Sequence, residues 1–366
     1  MAPKRPHGAG ALDETDLSPV PGPQSGLYAA LDLGTNSCRM LIARPDGAGF
    51  SVVDSFSKSV QLGAGLERSG RLSRGSMTRT IHALRICQQK LRKHDVRKMR
   101  LVATEACRRA GNGAAFLDRV RRETGLKLDI IPPQEEARLA VISCAPLVSP
   151  KTHNLLVVDI GGGSTELVWI DLSAVPKAER PHAIMQLRRG FKEDGPRGAR
   201  VVDWISVPLG VATLRDQFID VEDDSARFAL MSWFFEENLA DFAPYRDETE
   251  RKKFQIVGTS GTVTTVAASH LGLKRYDRTR VDGLRMTSAQ IDTVIRSYLA
   301  MGPGGRRADP RIGQDRQALI MSGAAILQTL MRCWPTDRLS VADRGLREGL
   351  LYAQMSADGV LGQGVV

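Results

Sequence analysis

Two α/β halves of one design, facing each other across a cleft, are what this sequence predicts. Three observations carry that expectation. The length of 366 residues suits two domains; strand-like runs alternate with helical periodicities; and one motif occurs twice. Ala-Ala-Leu-Asp32-Leu-Gly34-Thr-Asn-Ser37 is echoed by Val-Val-Asp159-Ile-Gly161-Gly-Gly-Ser164, one domain's length further on. Each copy reads as an apolar strand, an aspartate, then a small polar turn, so two copies of a βββαβα unit are expected.

The elements follow in order. Residues 27–33 read as a buried strand, 34–37 as a tight turn and 38–43 as the returning strand, with Pro45-Asp-Gly47 marking the next turn. Met77, Ile81, Leu84 and Leu91 recur at a helical period over 75–93. A strand at 99–103, a helix at 114–122 closed by Gly125 and a strand at 128–131 come next. Pro132-Pro133 then opens a helix with Glu135 and Glu136 in its first turn, where the dipole favours acids. A second hairpin covers 155–160 and 165–170. Residues 176–200, basic and rich in Pro and Gly, read as an unpacked loop or insertion. Helices near 210–219 and 225–241, a strand at 254–257, the loop 258–262, a helical pattern over 316–333 and a final helical segment over 343–355 complete the chain.

Composition narrows the function classes. Hydrophobic residues make up 42% of the chain, enough for a core in each domain. No run approaches the ~20 apolar residues of a membrane-spanning helix. Residues 1–26 read as a disordered tail without the apolar stretch of a signal peptide. The five cysteines are scattered and odd in number, which argues against a disulfide framework or zinc site and for a reducing cytoplasm. The formal net charge of +10 is concentrated: twelve basic residues face two acids between Lys58 and Arg100. Such a stretch attracts polyanions or is merely a solvated helix face.

A Gly-rich turn after a strand can offer several N–H groups to a phosphate, and an Asp at the strand end can hold Mg²⁺. Candidate phosphate contacts are therefore Gly34, Thr35, Asn36, Ser37, Gly161, Gly162, Gly163, Ser164, Thr165, Gly258, Ser260, Gly261 and Thr262. Arg39 and Arg108 could pair with phosphate oxygens. Asp32, Asp159 and Glu166 are the candidate metal ligands.

The loops at 32–37, 159–166 and 258–262 resemble those of the exopolyphosphatase / guanosine pentaphosphate phosphohydrolase (Ppx/GppA) family. So do Ala-Thr-Glu-Ala-Cys-Arg (103–108), Glu-Glu-Ala-Arg (135–138), Val-Pro-Leu-Gly (207–210) and Asp-Arg-Gly-Leu-Arg-Glu-Gly (343–349). The resemblance implies two actin-like (ribonuclease-H-like, ASKHA) domains: domain I at 27–134, domain II at 135–340, and a C-terminal helix within 341–366 packing back on domain I. It implies Glu136 as the base activating water, with Glu166 also at the catalytic centre, and Mg²⁺ or Mn²⁺ as cofactor. The implied reaction releases terminal orthophosphate from inorganic polyphosphate; hydrolysis of guanosine pentaphosphate (pppGpp) is the alternative. An actin-like kinase or a non-catalytic polyanion sensor is more distant. Nucleic acid and membrane are disfavoured as partners, and a homodimer is compatible. The chain departs from the family pattern at Pro132-Pro133, Gln61, Arg109 and Asp282, and resembles a short two-domain form.

Overall fold

The structure is a computed structural model describing residues 26–191, 198–239, 242 and 253–361. The disordered tail expected at 1–26 lies, save for Gly26, outside the described residues.

Two mixed sheets organise the chain. The first contains β1 (Tyr28–Leu33), β2 (Ser37–Asp46), β3 (Gly49–Ser59), β4 (Lys98–Ala103) and β5 (Asp129–Ile130), in the order β3-β2-β1-β4-β5. Around it run α1 (Leu66–Ser69), α2 (Arg74–Lys93), α3 (Glu105–Arg109) and α4 (Gly113–Thr124). The chain crosses to the second sheet through α5 (Pro133–Cys144), which begins, as Pro132-Pro133 predicts, with a proline at its start.

The second sheet holds β6 (Asn154–Ile160), β7 (Thr165–Asp171), β8 (Arg200–Val207), β9 (Phe254–Thr259), β10 (Arg285–Met286) and β11 (Leu339–Ala342), ordered β10-β11-β9-β6-β7-β8. Its helices are α6 (Arg180–Met185), α7 (Val211–Gln217), α8 (Asp224–Glu237), α9 (Gly261–His270), α10 (Arg278–Val281), α11 (Ser288–Ala308) and α12 (Ile320–Cys333), while the last helix, α13 (Leu346–Ala357), returns to the first sheet. In both sheets an antiparallel hairpin leads to a parallel neighbour: β1 pairs with β2 and β4, and β6 with β7 and β9. That shared order is what the duplicated motif encodes.

Strand alternation divides the core. Ala29, Leu31 and Leu33 face Ile81, Leu84 and Leu91 of α2, whereas Tyr28 and Ala30 face Leu139 of α5 and Leu350, Leu351 and Met355 of α13. The final helix thus seals the second face of the first sheet. Each of its buried leucines contributes about 1.5–3 kcal/mol.

Several elements depart from the sequence reading. Residues 176–200 are not an unpacked loop: α6 buries Arg180, Ala183 and Ile184, and Leu187 follows them into the core. The Arg180 guanidinium donates to the Val175 and Pro150 carbonyls, so a charged residue satisfies backbone rather than solvent. Residues 192–197 lie outside the description. Strands β3 and β8 carry no strong core-facing alternation because each is a sheet edge. Helix α11 is broken at Gly302, which takes φ 62°, just before Pro303, so its period is interrupted. The segment at 339–342 is a buried strand, and the last helix begins only at Leu346.

Candidate active site

Both copies of the motif fold into the same turn. Gly34 N–H donates to the Ser37 carbonyl at 2.9 Å, and Gly161 N–H to the Ser164 carbonyl, also at 2.9 Å. None of these loop glycines has a left-handed φ; they are needed for close approach. A Cβ on Gly162 would stand 3.1 Å from the Asn36 nitrogen, and one on Gly163 2.4 Å from Thr35 Oγ1 and 2.9 Å from Glu105 Cγ. The two hairpins therefore touch across the cleft. A Cβ on Gly210 would fall 2.5 Å from both the Gly161 oxygen and the Gly162 carbonyl carbon. Val211 and Ala212 N–H groups in turn bond the Gly161 and Gly162 carbonyls, tying α7 to the second hairpin.

Between the hairpins lies a cavity of about 340 Å³. Of the expected residues, Asp32, Gly34, Thr35, Asn36, Ser37, Arg39, Glu136, Asp159, Gly161, Gly162, Gly163, Ser164, Ser260, Gly261 and Thr262 line it. Four do not. Thr165 is buried and donates its hydroxyl to the Leu209 carbonyl, a structural bond. Gly258 is inside β9, paired with Val158 and Val341, so the third loop narrows to Ser260 and the first turn of α9. Glu166 lies behind the second hairpin, 2% exposed, accepting from Ser206 Oγ at 2.8 Å. Arg108 holds protein carboxylates instead of facing the cavity.

That arginine orders the acids. Its Nη1 and Nη2 donate to Glu136 at 3.1 and 3.2 Å, its Nε to Glu105 at 3.1 Å, and Nη1 also to the Ile131 carbonyl at 2.7 Å. Glu136 is thereby fixed in the first turn of α5. Burial, then the Glu166 and Asp32 charges, push its carboxyl well above the usual carboxylate range, against the pull of Arg108. Asp159 and Glu166 stand directly opposite on β6 and β7. Burial raises both to about 8; Glu136 and Asp32 add to the effect at Asp159, and Asp159 adds to it at Glu166. Asp32 is raised by burial, offset partly by Arg39 and Arg347.

Donors complete the cavity. Among the described residues, no acceptor bonds the N–H groups of Thr35, Asn36, Gly162 or Gly163, and Thr35 Oγ1 is buried without a partner. The first turns of α9 and α13 point their amides here, a favourable arrangement for anions. Among the charged lining residues, sequence reasoning missed Glu105, Arg316, Asp343, Arg344 and Arg347. Glu105 and the last two arginines lie within quoted motifs, but only the fold turns them inward; Arg316 carried no signal. Arg344 is set by Asp282, bonded from Nη2 at 2.8 Å and Nε at 3.0 Å, while Asp282 also accepts from Asp343 N–H at 3.0 Å. Asp282, one of the departures, thus anchors the loop at 343–345.

The basic stretch from Lys58 to Arg100 is dispersed by the fold. Lys90 pairs with Asp54, Arg85 with Glu123, Lys98 with Asp358 and Arg100 with Glu135. Arg92, Lys93, Arg97 and Lys98 sit by the start of β4, whereas the cavity opens at its end, by Thr104. At ~3.3 Å per residue, that separation is roughly 16 Å.

The donor set suits a hard divalent cation: half-buried carboxylates of Asp32 and Asp159, the first raising the pKa of the second, with unpaired hydroxyl and amide groups beside them. Among the described residues no three His, Cys, Asp or Glu converge as a ready-made metal cage. Mg²⁺ keeps several waters and commonly takes one or two carboxylates alongside substrate phosphates, so two aspartates would be enough to hold it. No helix among the described residues is long and apolar enough to cross a membrane.

Comparison with known proteins agrees with this architecture. Residues 41–358 match the model of the Ppx/GppA phosphatase family. The chain is 29% identical over 332 residues to a guanosine-5'-triphosphate,3'-diphosphate pyrophosphatase of Aeromonas salmonicida, covering 90% of this chain and 59% of that protein. It therefore spans about three fifths of the length of such curated relatives. The crystal structure of the Aquifex aeolicus family member aligns with TM-score 0.71 and 28% identity, covering 91% of this chain and 98% of that one. An exopolyphosphatase from Cytophaga hutchinsonii shares the fold at TM-score 0.74 and 21% identity, covering 92% and 100%. On this evidence the chain belongs to the Ppx/GppA phosphatase family.

Proposed function

We propose that this protein hydrolyses the terminal phosphoanhydride bond of inorganic polyphosphate, releasing orthophosphate. The observation that carries the reading is the Glu136 carboxylate, held by Arg108 at a cavity ringed by free backbone N–H groups and arginines. A carboxylate base raised by burial well above its usual range suits proton abstraction from water. Phosphoryl transfer then needs little more than positioning and charge stabilisation. Thr35, Asn36, Gly162 and Gly163 would bind the terminal phosphate through N–H groups, with Arg39, Arg316 and Arg347 as cationic partners. Glu166 acts on Glu136 through its charge rather than by touching substrate.

Asp32 and Asp159 would hold Mg²⁺ or Mn²⁺, with Glu166 behind them. When bound, the cation offsets charge on the phosphate oxygens. This reading includes the division into domain I (27–134), domain II (135–340) and a returning C-terminal helix, and a cytoplasmic setting. Hydrolysis of pppGpp, suggested by the names of the longer relatives, is the second reading. Polyphosphate is favoured because, among the described residues, no aromatic side chain lines the cavity to stack a base. Phosphate release from tripolyphosphate, long-chain polyphosphate, pppGpp and ATP tests this. Turnover confined to the nucleotides would reject the polyphosphate assignment.

A further inference from the structure

A strongly basic loop abuts the cavity wall at Asp343. Residues 274–280 contain Lys274, Arg275, Arg278 and Arg280 against one acid, Asp277. All four basic side chains are exposed. The loop is bolted to the cavity wall: Arg278 Nη2 donates to the Asp343 carbonyl at 2.6 Å, and its Nε lies 3.4 Å from the Asp343 carboxylate. Tyr276 lies beside Asp343 and Thr264, both of which line the cavity. Asp277 caps α10 through the Thr279 N–H at 3.0 Å, so the loop's acid is engaged locally. Arg278 likewise neutralises Asp343. What remains pointing outward is Lys274, Arg275 and Arg280.

We propose that this loop is the track along which the distal part of a polyphosphate chain leaves the cavity, giving the protein preference for long chains over short ones. The inference rests on the hydrolase reading for its substrate, but assigns residues that reading does not use. A chain whose end is held between the two hairpins must continue through the mouth. There it passes from Arg316 inside to the three outward cations of the loop. Exposed cations on a polyanion release counterions, so they add affinity that salt erodes. The quartet Arg92, Lys93, Arg97 and Lys98 cannot serve such a chain directly, being at the far end of β4. Position relative to the mouth, rather than charge density along the sequence, selects 274–280.

The test is binding of fluorescently labelled long-chain polyphosphate to the full chain in EDTA, across a salt series. Lys274→Gln, Arg275→Gln and Arg280→Gln combined should weaken it several-fold at low salt. The log–log salt slope should flatten by about 2, at ~0.7 per lost contact. Tripolyphosphate binding should hold, because its three phosphates fit inside. Arg92→Gln with Lys93→Gln, the distant control, should leave the slope unchanged. An unaltered slope in the triple variant, or an equal loss for tripolyphosphate, overturns the track. So does single-stranded RNA of equal charge binding as tightly with the same loss, which would assign the loop to nucleic acid. Phosphate release from long-chain polyphosphate by the wild type with Mg²⁺ tests the hydrolase reading separately: its absence sinks that reading, while the binding series still decides the track.

Discussion

Arg39 and Glu166 occupy the same place in the two hairpins. Each lies seven positions after an aspartate and directly across from it, Arg39 opposite Asp32 and Glu166 opposite Asp159. One backbone design thus presents a cation on one side of the cleft and a carboxylate on the other. Cross-strand partners sit about 4.5–5.5 Å apart at Cβ, so Asp32 has a cation directly opposite and Asp159 a second carboxylate. Burial pushes Asp159 up to about 8, with Glu136 and Asp32 adding to it and Arg39 drawing it back; at Asp32 burial is opposed by Arg39 and Arg347.

Glu136→Gln should reduce phosphate release by roughly 10²–10⁴-fold, the usual contribution of a general base. Its shape and the Arg108 contact are largely kept, so polyphosphate affinity should be little changed. Parallel steady-state kinetics and binding check this; wild-type turnover would remove Glu136 from the mechanism.

Raised carboxyl pKa values set a pH dependence. The folded protein keeps protons on Asp159 and Glu166 that the unfolded chain releases above about 4. Metal-free stability should therefore decline as pH rises from about 4 through about 8. Metal binding competes with those protons, so the thermal shift produced by Mg²⁺ should grow between pH 6 and 8.5. Melting curves with EDTA and with Mg²⁺ measure both. A Mg²⁺ shift that shrinks with pH would contradict the assignment of these acids.

Thr35→Val should leave the free protein as stable as before or more so, because Thr35 Oγ1 is buried without a partner. Removing an unsatisfied hydroxyl relieves a desolvation cost of about 1–3 kcal/mol. The same change should raise KM, if that hydroxyl awaits a phosphate oxygen. Melting temperature and KM moving in opposite favour, one better and one worse, is the diagnostic pattern.

Gly163→Ala places a Cβ against Thr35 and Glu105 and should push the hairpins apart. Overpacking of this kind costs about 1–3 kcal/mol, and activity should fall further than stability. Gly47→Ala, where nothing lies within 4 Å but φ is +57°, is the comparison. It should cost stability alone, which separates backbone strain from disturbance of the site in the same assay.

Much of this was legible beforehand because it is local. The duplicated turn, the Pro-started helix carrying Glu136, and α2 with its apolar period each depend on neighbours within a few residues. Edge strands β3 and β8 and the packed α6 were not, since their burial depends on partners distant in the chain. Charge was the most misleading guide. Arg108 reads as a phosphate ligand until Glu105 and Glu136 claim it, and the Lys58–Arg100 stretch reads as a polyanion attractor or a solvated face until the fold pairs part of it and sets Arg92 to Lys98 away from the cavity.

The sequence by itself determined the two hairpins and their acids, because strand, turn and helix-start signals are short-range and the motif occurs twice. Only the tertiary structure decided which side chains share the cavity. Glu105, Arg316, and Arg344 with Arg347 arrive there from three separate stretches of chain, and Thr165, Gly258 and Arg108 are turned to other partners. The physical reason is that burial and pairing are properties of three-dimensional packing. A carboxylate's pKa, an arginine's partner or a glycine's need to be glycine follows from what stands opposite. Sequence spacing fixes that within a hairpin, and not between two halves that meet only on folding.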